Sequence, residues 1–418
     1  MSFYIIQGGN RLEGSLAVHG AKNSVLPILA AATLCDDCRL SNCPHLTDVE
    51  VAMDILRHLG CSAMWQEDEI VTTQTAGGDC HIPDTLMGAM RSSIVFLGAI
   101  MARFGCAELT LPGGCELGSR PIDLHLTALT LMGAQIIEDG KTLICTAPEG
   151  LHGAEISLPF PSVGATENVI IAAATAKGTT VLRGGAREPE IGDLITFLVR
   201  CGADIQVAID GTVTIRGVAK LGGCQHRVIP DRIAAGTYLA AAAITGGQLE
   251  LTGIKPSHIL STLAILSNAG CMVKAEVGSV LLTAPRRMKE LGTIKTGPYP
   301  GFPTDMQAVM MAVSATAEGT TTFVENIFDN RYRHIPQLRK LGCDIVYQGR
   351  IAVVSGVPAL HGAAMSCTDL RGGAALVLAA LAAEGESIVT ELQHIDRGYE
   401  NFSENLLALG AKITRNGR

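Results

Sequence analysis

Tryptophan occurs once in 418 residues, aromatic residues make up 4% and charged residues only 17%. No block of like charge appears, although Asp and Glu outnumber Lys and Arg by 40 to 32, for a formal net charge of −8. A nucleic-acid-binding chain normally presents a basic face, so that class is disfavoured. An anionic small substrate is compatible with this balance if a few Arg and Lys converge on one cleft. Long hydrophobic runs are missing as well. The longest, around Ala374–Ala383 and Tyr238–Thr245, are Ala-rich and fall short of the roughly 18–20 residues of a membrane span. The opening MSFYIIQGGN lacks the basic, apolar and small-residue segments of a secretory signal, so a cytoplasmic protein without a membrane partner is expected. No Gly-rich phosphate loop of the Walker type is found; Gly8-Gly9 and Gly372-Gly373 are expected to be turns or points of close packing.

What is present is a chain that is 47% hydrophobic with 47 glycines and 13 cysteines. At roughly 100–200 residues per domain, its length predicts two or three domains, each with a real core. An odd number of cysteines scattered over a long chain argues against a disulfide framework. Cys35-x-x-Cys38 is the only metal-like spacing, with Cys43 nearby, no second pair following and His45 as the nearest extra ligand. Small buried or loop thiols are the simpler expectation, and no metal is assigned.

Internal repeats are visible by eye. LRHLGCSAM (Leu56–Met64), LTLMGAQII (Leu129–Ile137), LVRCGADIQ (Leu198–Gln206), ILSNAGCMV (Ile265–Val273), LRKLGCDIV (Leu338–Val346) and LLALGAKIT (Leu406–Thr414) share one pattern. Leucines at three- and four-residue spacing predict a helix face, and Gly60, Gly133, Gly202, Gly270, Gly342 and Gly410 its left-handed cap. The alternation that follows, as in Ala203–Ile209 and Cys343–Tyr347, predicts a half-exposed strand. A second, nearly uncharged helix recurs in Ala21–Leu34, Arg91–Arg103, Ala165–Ala176, Arg232–Thr245, Thr304–Thr316 and Leu370–Ala383. Its Ala and Gly on nearly every face predict burial all round. Six copies therefore predict an α/β chain with helices inside. The last copy stops one strand short, and Phe3–Gln7 with Gly14–His19 look like the missing strands of the sixth repeat. The domain division expected is 22–229 for repeats one to three, and 1–21 with 230–418 for repeats four to six.

Each buried helix begins with polar residues: Lys22-Asn23, Arg91, Thr166-Glu167, Asp231-Arg232, Asp305, and Asp369 with Arg371. Buried charge is costly unless paired, so these ends point to a shared cleft. Ordinary capping accounts for Asp305 and Asp369. It does not account for Lys22, Arg91 and Arg371, because cations at helix N-termini oppose the dipole; an anionic ligand would. Cys115 lies in LPGGCELGSRPIDLHL, flanked by glycines, with Arg120 able to favour its thiolate. It is either a reactive thiol or an incidental loop cysteine. His125 is in range as its base but is expected on a helix surface.

Eight segments carry a family resemblance: GAKNSVLPILAA (20–31), PGGCELGSRPIDLH (112–125), SVGATENV (162–169), AREPEIGDL (186–194), FPTDMQA (302–308), NIFDNRYRH (326–334), TDLRGGAALVLAAL (368–381) and HIDRGYENF (394–402). In order along the whole chain, they resemble the UDP-N-acetylglucosamine enolpyruvyl transferases of peptidoglycan synthesis. The resemblance implies a two-domain inside-out α/β barrel of six βαβαββ repeats. It also implies transfer of the enolpyruvyl group of phosphoenolpyruvate to the 3′-hydroxyl of UDP-N-acetylglucosamine, through a tetrahedral ketal and without cofactor or metal. Carried onto this sequence, Cys115 matches the reactive cysteine and Asp305 the carboxylate at the sugar hydroxyl. Lys22, Arg120 and Arg397 match the cations on phosphoenolpyruvate, and Arg331 and Arg371 those facing its carboxylate. Asn23 resembles the amide that holds the cleft closed. Arg91, Arg120, Pro121, Ile122, Asp123, Leu124, Ser162, Val163, Gly164 and Ile327 match contacts to the UDP-sugar. Asp369 is expected to orient Arg371 or Lys22, and Glu188 and Glu190 match family positions or form surface ion pairs. Phe160 departs from the pattern where some members carry Lys, and Ala234-Ala235 fills the variable pair of PDRIxxGT. The sister enzymes acting on shikimate 3-phosphate share the fold but lack the Pro-Gly-Gly-Cys loop, and a non-catalytic UDP-N-acetylglucosamine-binding paralogue would have lost Cys115, Lys22, Asp305 or Arg397.

Overall fold

The computed structural model describes residues 2–75, 77–90, 93–110 and 122–417. Residues 2–19 with 230–417 form one compact unit, and 20–110 with 122–229 form the other. In the first unit the helices Arg232–Ile244, Gln307–Ser314 and Leu370–Ala382 pack on one another. In the second, Lys22–Ala32, Phe96–Phe104 and Val163–Ala173 do the same. They are the expected small-residue helices, and they are buried because Ala and Gly let neighbours approach from every side. All eight residues of Gln307–Ser314 are buried. Two of them start later than the sequence pattern predicts, behind the single 3-10 turns Ser93–Val95 and Thr304–Met306.

The glycine-capped helix is amphipathic, as in Pro189–Arg200, which buries Ile191, Leu194, Phe197 and Leu198 along one face. The six repeat glycines all turn the chain in the left-handed region, with φ from +76° at Gly60 to +104° at Gly270. Sheets surround the central helices, three to each unit; five have four strands and one has three among the described residues. Alternation of buried and half-exposed positions, as in Thr320–Val324, turns one face of each sheet to the core. The result in each unit is an inside-out α/β arrangement of three repeats.

Phe3–Gln7 runs antiparallel between Glu386–Thr390 (Ile5 opposite Ile388) and Lys412–Asn416 (Ile5 opposite Thr414), completing the sixth repeat. The following strand corrects the sequence expectation. Glu13–Ala17 pairs parallel with Gln248–Thr252 and leads the fourth repeat, not the sixth. Reciprocally, Gln225–Arg227, just before the fourth buried helix, pairs parallel with Cys38–Ser41 of the first repeat. The two repeats thus exchange leading strands where the chain passes from one unit to the other. Ala21 N–H donates to Ile229 O at 2.7 Å and Asp231 N–H to His19 O at 2.9 Å, so the division falls after His19 rather than after Ala21. Asp193 fastens the 20–229 side: its carboxylate accepts from Ser24 Oγ (2.5 Å), Ile229 N (3.1 Å) and, at 3.0 Å, His226 Nε2.

Candidate active site

In the first unit Asp305 sits in the turn before Gln307–Ser314 and does not cap it. Its Oδ1 lies 3.0 Å from Arg331 Nη2 and its Oδ2 3.0 Å from Arg371 Nη2. Both arginines are 3% exposed, whereas the Asp305 side chain is 28% exposed. A carboxylate held by one cation on each oxygen and still 28% exposed is fixed in place yet reachable. Arg331 also donates from Nε and Nη2 to Thr304 O, and Arg371 lies over the Tyr399 ring at 5.3 Å. Asp305, Arg331 and Arg371, far apart in sequence, are thus brought together within the first unit.

Asp369 does cap: its Oδ1 accepts from Arg371 N (3.1 Å) and Gly372 N (3.0 Å). It therefore sets the backbone at Arg371, while the Arg371 guanidinium is held by Asp305. Burial opposes its ionisation, but Arg331 and His334 hold the carboxyl below its ordinary range. Asp231 caps Arg232–Ile244 in the same way, accepting from Ile233 N and Ala234 N at 2.8 Å. Arg397 lies half-buried in the turn after the 3-10 segment Leu392–His394. Ile327 is placed by a residue the sequence reading missed. Glu325, 1% exposed, accepts from Ile327 N (2.9 Å), Phe328 N (3.1 Å) and Thr296 Oγ1 (3.0 Å) on Oε1, and from Thr304 Oγ1 (2.9 Å) on Oε2. It ties the 326–328 turn to the turn that carries Asp305. Its only sequence signal is its place directly before the NIFDNRYRH motif.

In the second unit Lys22 opens its buried helix and pairs with Asp48 at 2.5 Å, a carboxylate 1% exposed. Asp48 was missed because an acid in the first turn of Thr47–His58 looks like ordinary dipole compensation. Asn23 is half-buried beside Lys22. Ser162 caps Val163–Ala173 through Ala165 N (3.4 Å), which places Val163 and Gly164 in the first helical turn. Ile122, Asp123 and Leu124 begin Asp123–Leu131. Phe160 is exposed.

Two expectations here are corrected. His125 is buried, not on the helix surface, because it packs against Gly164 and takes a 2.8 Å hydrogen bond from Asn168 Nδ2 on Nδ1. Glu190 is buried too, so it is no surface ion pair. Glu188 is half-buried. Glu167 is buried beside them, and burial, then Glu190 and Glu188, raise its carboxyl well above the ordinary range. Cys115, Arg91, Arg120 and Pro121 lie outside the described residues.

Comparison with known proteins decides the family. The profile of EPSP synthase (3-phosphoshikimate 1-carboxyvinyltransferase) matches residues 6–406. UDP-N-acetylglucosamine 1-carboxyvinyltransferase 2 of Caldanaerobacter subterraneus subsp. tengcongensis is 45% identical over 99% of this chain and 100% of its own. UDP-N-acetylglucosamine 1-carboxyvinyltransferase 1 of Symbiobacterium thermophilum is 46% identical over 99% of this chain and 95% of its own. The chain belongs to the UDP-N-acetylglucosamine 1-carboxyvinyltransferase family. Among solved structures, the enolpyruvyl transferase NikO of Streptomyces tendae aligns with a TM-score of 0.88 at 26% identity, covering 99% of both chains. EPSP synthase of Acinetobacter baumannii aligns at 0.75 and 18% identity over the full length of both chains, a likeness of fold alone. No helix among the described residues is long and apolar enough to cross a membrane.

Two buried histidines of this family member give a pH signature. Burial pushes His125 and His334 down to about 4. The unfolded chain takes up the same protons near the ordinary value of about 6.5. Between those values the unfolded state holds more protons, so stability falls as pH drops from about 6.5 to 4, by about 3 kcal/mol per histidine. Urea unfolding across this window is expected to show that slope, and His125→Gln to remove about half of the part due to the two histidines. A slope unchanged in both His125→Gln and His334→Gln would refute the assignment.

Proposed function

We propose that this chain transfers the enolpyruvyl group of phosphoenolpyruvate to the 3′-hydroxyl of UDP-N-acetylglucosamine and releases phosphate, the first committed step of peptidoglycan synthesis, in the cytoplasm and without a cofactor. The observation that carries the reading is 45–46% identity to two UDP-N-acetylglucosamine 1-carboxyvinyltransferases over 99% of the chain. The chemistry is addition then elimination. Asp305 takes the proton of the sugar 3′-hydroxyl as that oxygen bonds to C2 of phosphoenolpyruvate, and Cys115 delivers a proton to C3. Loss of phosphate from C2 and of a proton from C3 then restores the double bond. Arg331 and Arg371 supply fixed positive charge beside Asp305 for the carboxylate of phosphoenolpyruvate, and Lys22, Arg120 and Arg397 supply it for the phosphate. Asn23, Arg91, Pro121, Ile122, Asp123, Leu124, Ser162, Val163, Gly164 and Ile327 form the UDP-sugar contacts. Support for the anion-binding role of the first unit is the placement of two buried guanidinium groups on one partly open carboxylate.

Phosphate release with phosphoenolpyruvate and each acceptor in turn tests the reading. Turnover is expected with UDP-N-acetylglucosamine, and turnover with shikimate 3-phosphate alone would sink it. A second measurement addresses the thiol. Fosfomycin, an epoxide phosphonate, is expected to add once to the protein, and Cys115→Asp to lose the adduct while keeping turnover through an acidic proton donor. Cys115→Ala is expected to lose both. An unmodified intact mass after exposure of the active enzyme would remove Cys115 from the mechanism.

A further inference from the structure

Four cysteines that no step above uses converge in the second unit. The Sγ atoms of Cys35, Cys38 and Cys201 all lie within 4.8 Å of one another, and Cys224 Sγ is 3.3 Å from Cys201 Sγ. All four are free thiols. Each stands at the end of an element. Cys35 follows the buried helix Lys22–Ala32 and Cys38 opens the strand Cys38–Ser41, while Cys201 closes the helix Pro189–Arg200 and Cys224 directly precedes Gln225–Arg227.

The fold brings these ends together through the strand exchange between the first and fourth repeats. Parallel pairing of Gln225 with Arg39 sets Cys224 beside Cys38, with Arg39 N donating to Cys224 O at 2.9 Å. Gly222 N donates to Cys201 O at 2.8 Å and draws the 222–224 turn to the end of the helix. At Gly223 a Cβ would stand 1.9 Å from Asp37 O, so glycine is what allows the two cysteine-bearing turns to meet.

We propose that Cys35, Cys38, Cys201 and Cys224 bind one zinc ion as a structural tetrathiolate site that staples the first repeat to the third. Cys-x-x-Cys joined by two further thiolates is a donor set that selects Zn²⁺, which is tetrahedral with Zn–S of about 2.3 Å and hence sulfur–sulfur edges of about 3.8 Å. Three of the sulfurs lie within 4.8 Å of one another and the fourth stands 3.3 Å from Cys201 Sγ, distances of the same order as that edge. Every thiol has more than one sulfur neighbour in the cluster, unlike Cys80 and Cys106, which form a two-sulfur contact at 2.7 Å. On binding, four S–H bonds break, four Zn–S bonds form and the protons pass to solvent with no change of oxidation state. The complex keeps a charge of about −2. Arg103 lies at the neighbouring helix end, donating to Thr33 O at 2.8 Å and Cys61 Sγ at 3.0 Å. Cys35, Cys38 and Cys201 are buried, and half-exposed Cys224 offers the way in.

The full chain, purified anaerobically, supplied with ZnCl₂ and desalted, is expected to hold about one zinc by elemental mass spectrometry. Cobalt in its place is expected to give the thiolate charge-transfer and visible bands of a tetrahedral sulfur site. Cys201→Ser with Cys224→Ser is expected to lose metal and bands, and Cys80→Ser with Cys106→Ser to keep both. Should the first pair fail to fold, the cobalt spectrum of the unmodified chain still decides. Zinc below about 0.1 per chain, an octahedral cobalt spectrum, or a disulfide located by peptide mapping between two of these four cysteines would each overturn the proposal.

Discussion

Asp305→Asn is expected to lower kcat by about a thousandfold, within the range that a positioned proton acceptor contributes, while the protein stays folded. The amide keeps one oxygen to accept from Arg331 or Arg371, so the two buried guanidinium groups are not both stranded. Thermal denaturation is accordingly expected to move little. Asp305→Ala differs in kind: it removes the shared partner of two arginines that are each 3% exposed. Breaking a buried pair costs about 3–5 kcal/mol, and the partial exposure of Asp305 reduces that figure through solvent screening. Phosphate release measured beside a melting curve separates the two effects. A fully active Asp305→Asn enzyme would end the assignment of Asp305 as the base.

Lys22→Met is expected to fail in two ways at once. It takes away the cation proposed to face phosphoenolpyruvate, and it leaves the nearly inaccessible carboxylate of Asp48 without the ammonium 2.5 Å away. The stability loss expected for a buried pair is about 3–5 kcal/mol. Lys22→Arg is expected to retain much of the stability but little of the turnover, because a planar guanidinium fork does not reproduce the compact point charge of an ammonium. Pairing Lys22→Met with Asp48→Asn separates the roles, since removing both charges relieves the electrostatic penalty but does not restore the cation proposed for the substrate. If that double variant recovers turnover together with stability, Lys22 is structural only.

The legible part of the site was the part carried by local sequence. Cations at the start of apolar helices contradict the dipole, and that conflict alone singled out Lys22, Arg91 and Arg371, the second of which lies outside the described residues. Asp369 was legible as a cap and is one. Asp305 was open to the same reading, and the structure assigns it to Arg331 and Arg371 instead. His125 was misplaced because the short stretch Leu124–Ala128 carries no periodicity strong enough to show which face meets Gly164 and Asn168. Asp48 and Glu325 left almost no trace, since each is an ordinary acid in an ordinary place until its partner arrives from another segment.

The sequence by itself determined the sixfold repeat, the two helix types and the turn that ends each outer helix. These follow from periodicity and from glycine's freedom at φ near +90°, both properties of a few consecutive residues. Only the tertiary structure decided which repeat each leading strand joins, which carboxylate faces which cation, and that Cys35-x-x-Cys38 meets Cys201 and Cys224. Those outcomes rest on hydrogen bonds and close approaches between segments far apart in the chain. Parallel strands in particular need a crossover connection, and no local pattern says which strand the chain will find at its end.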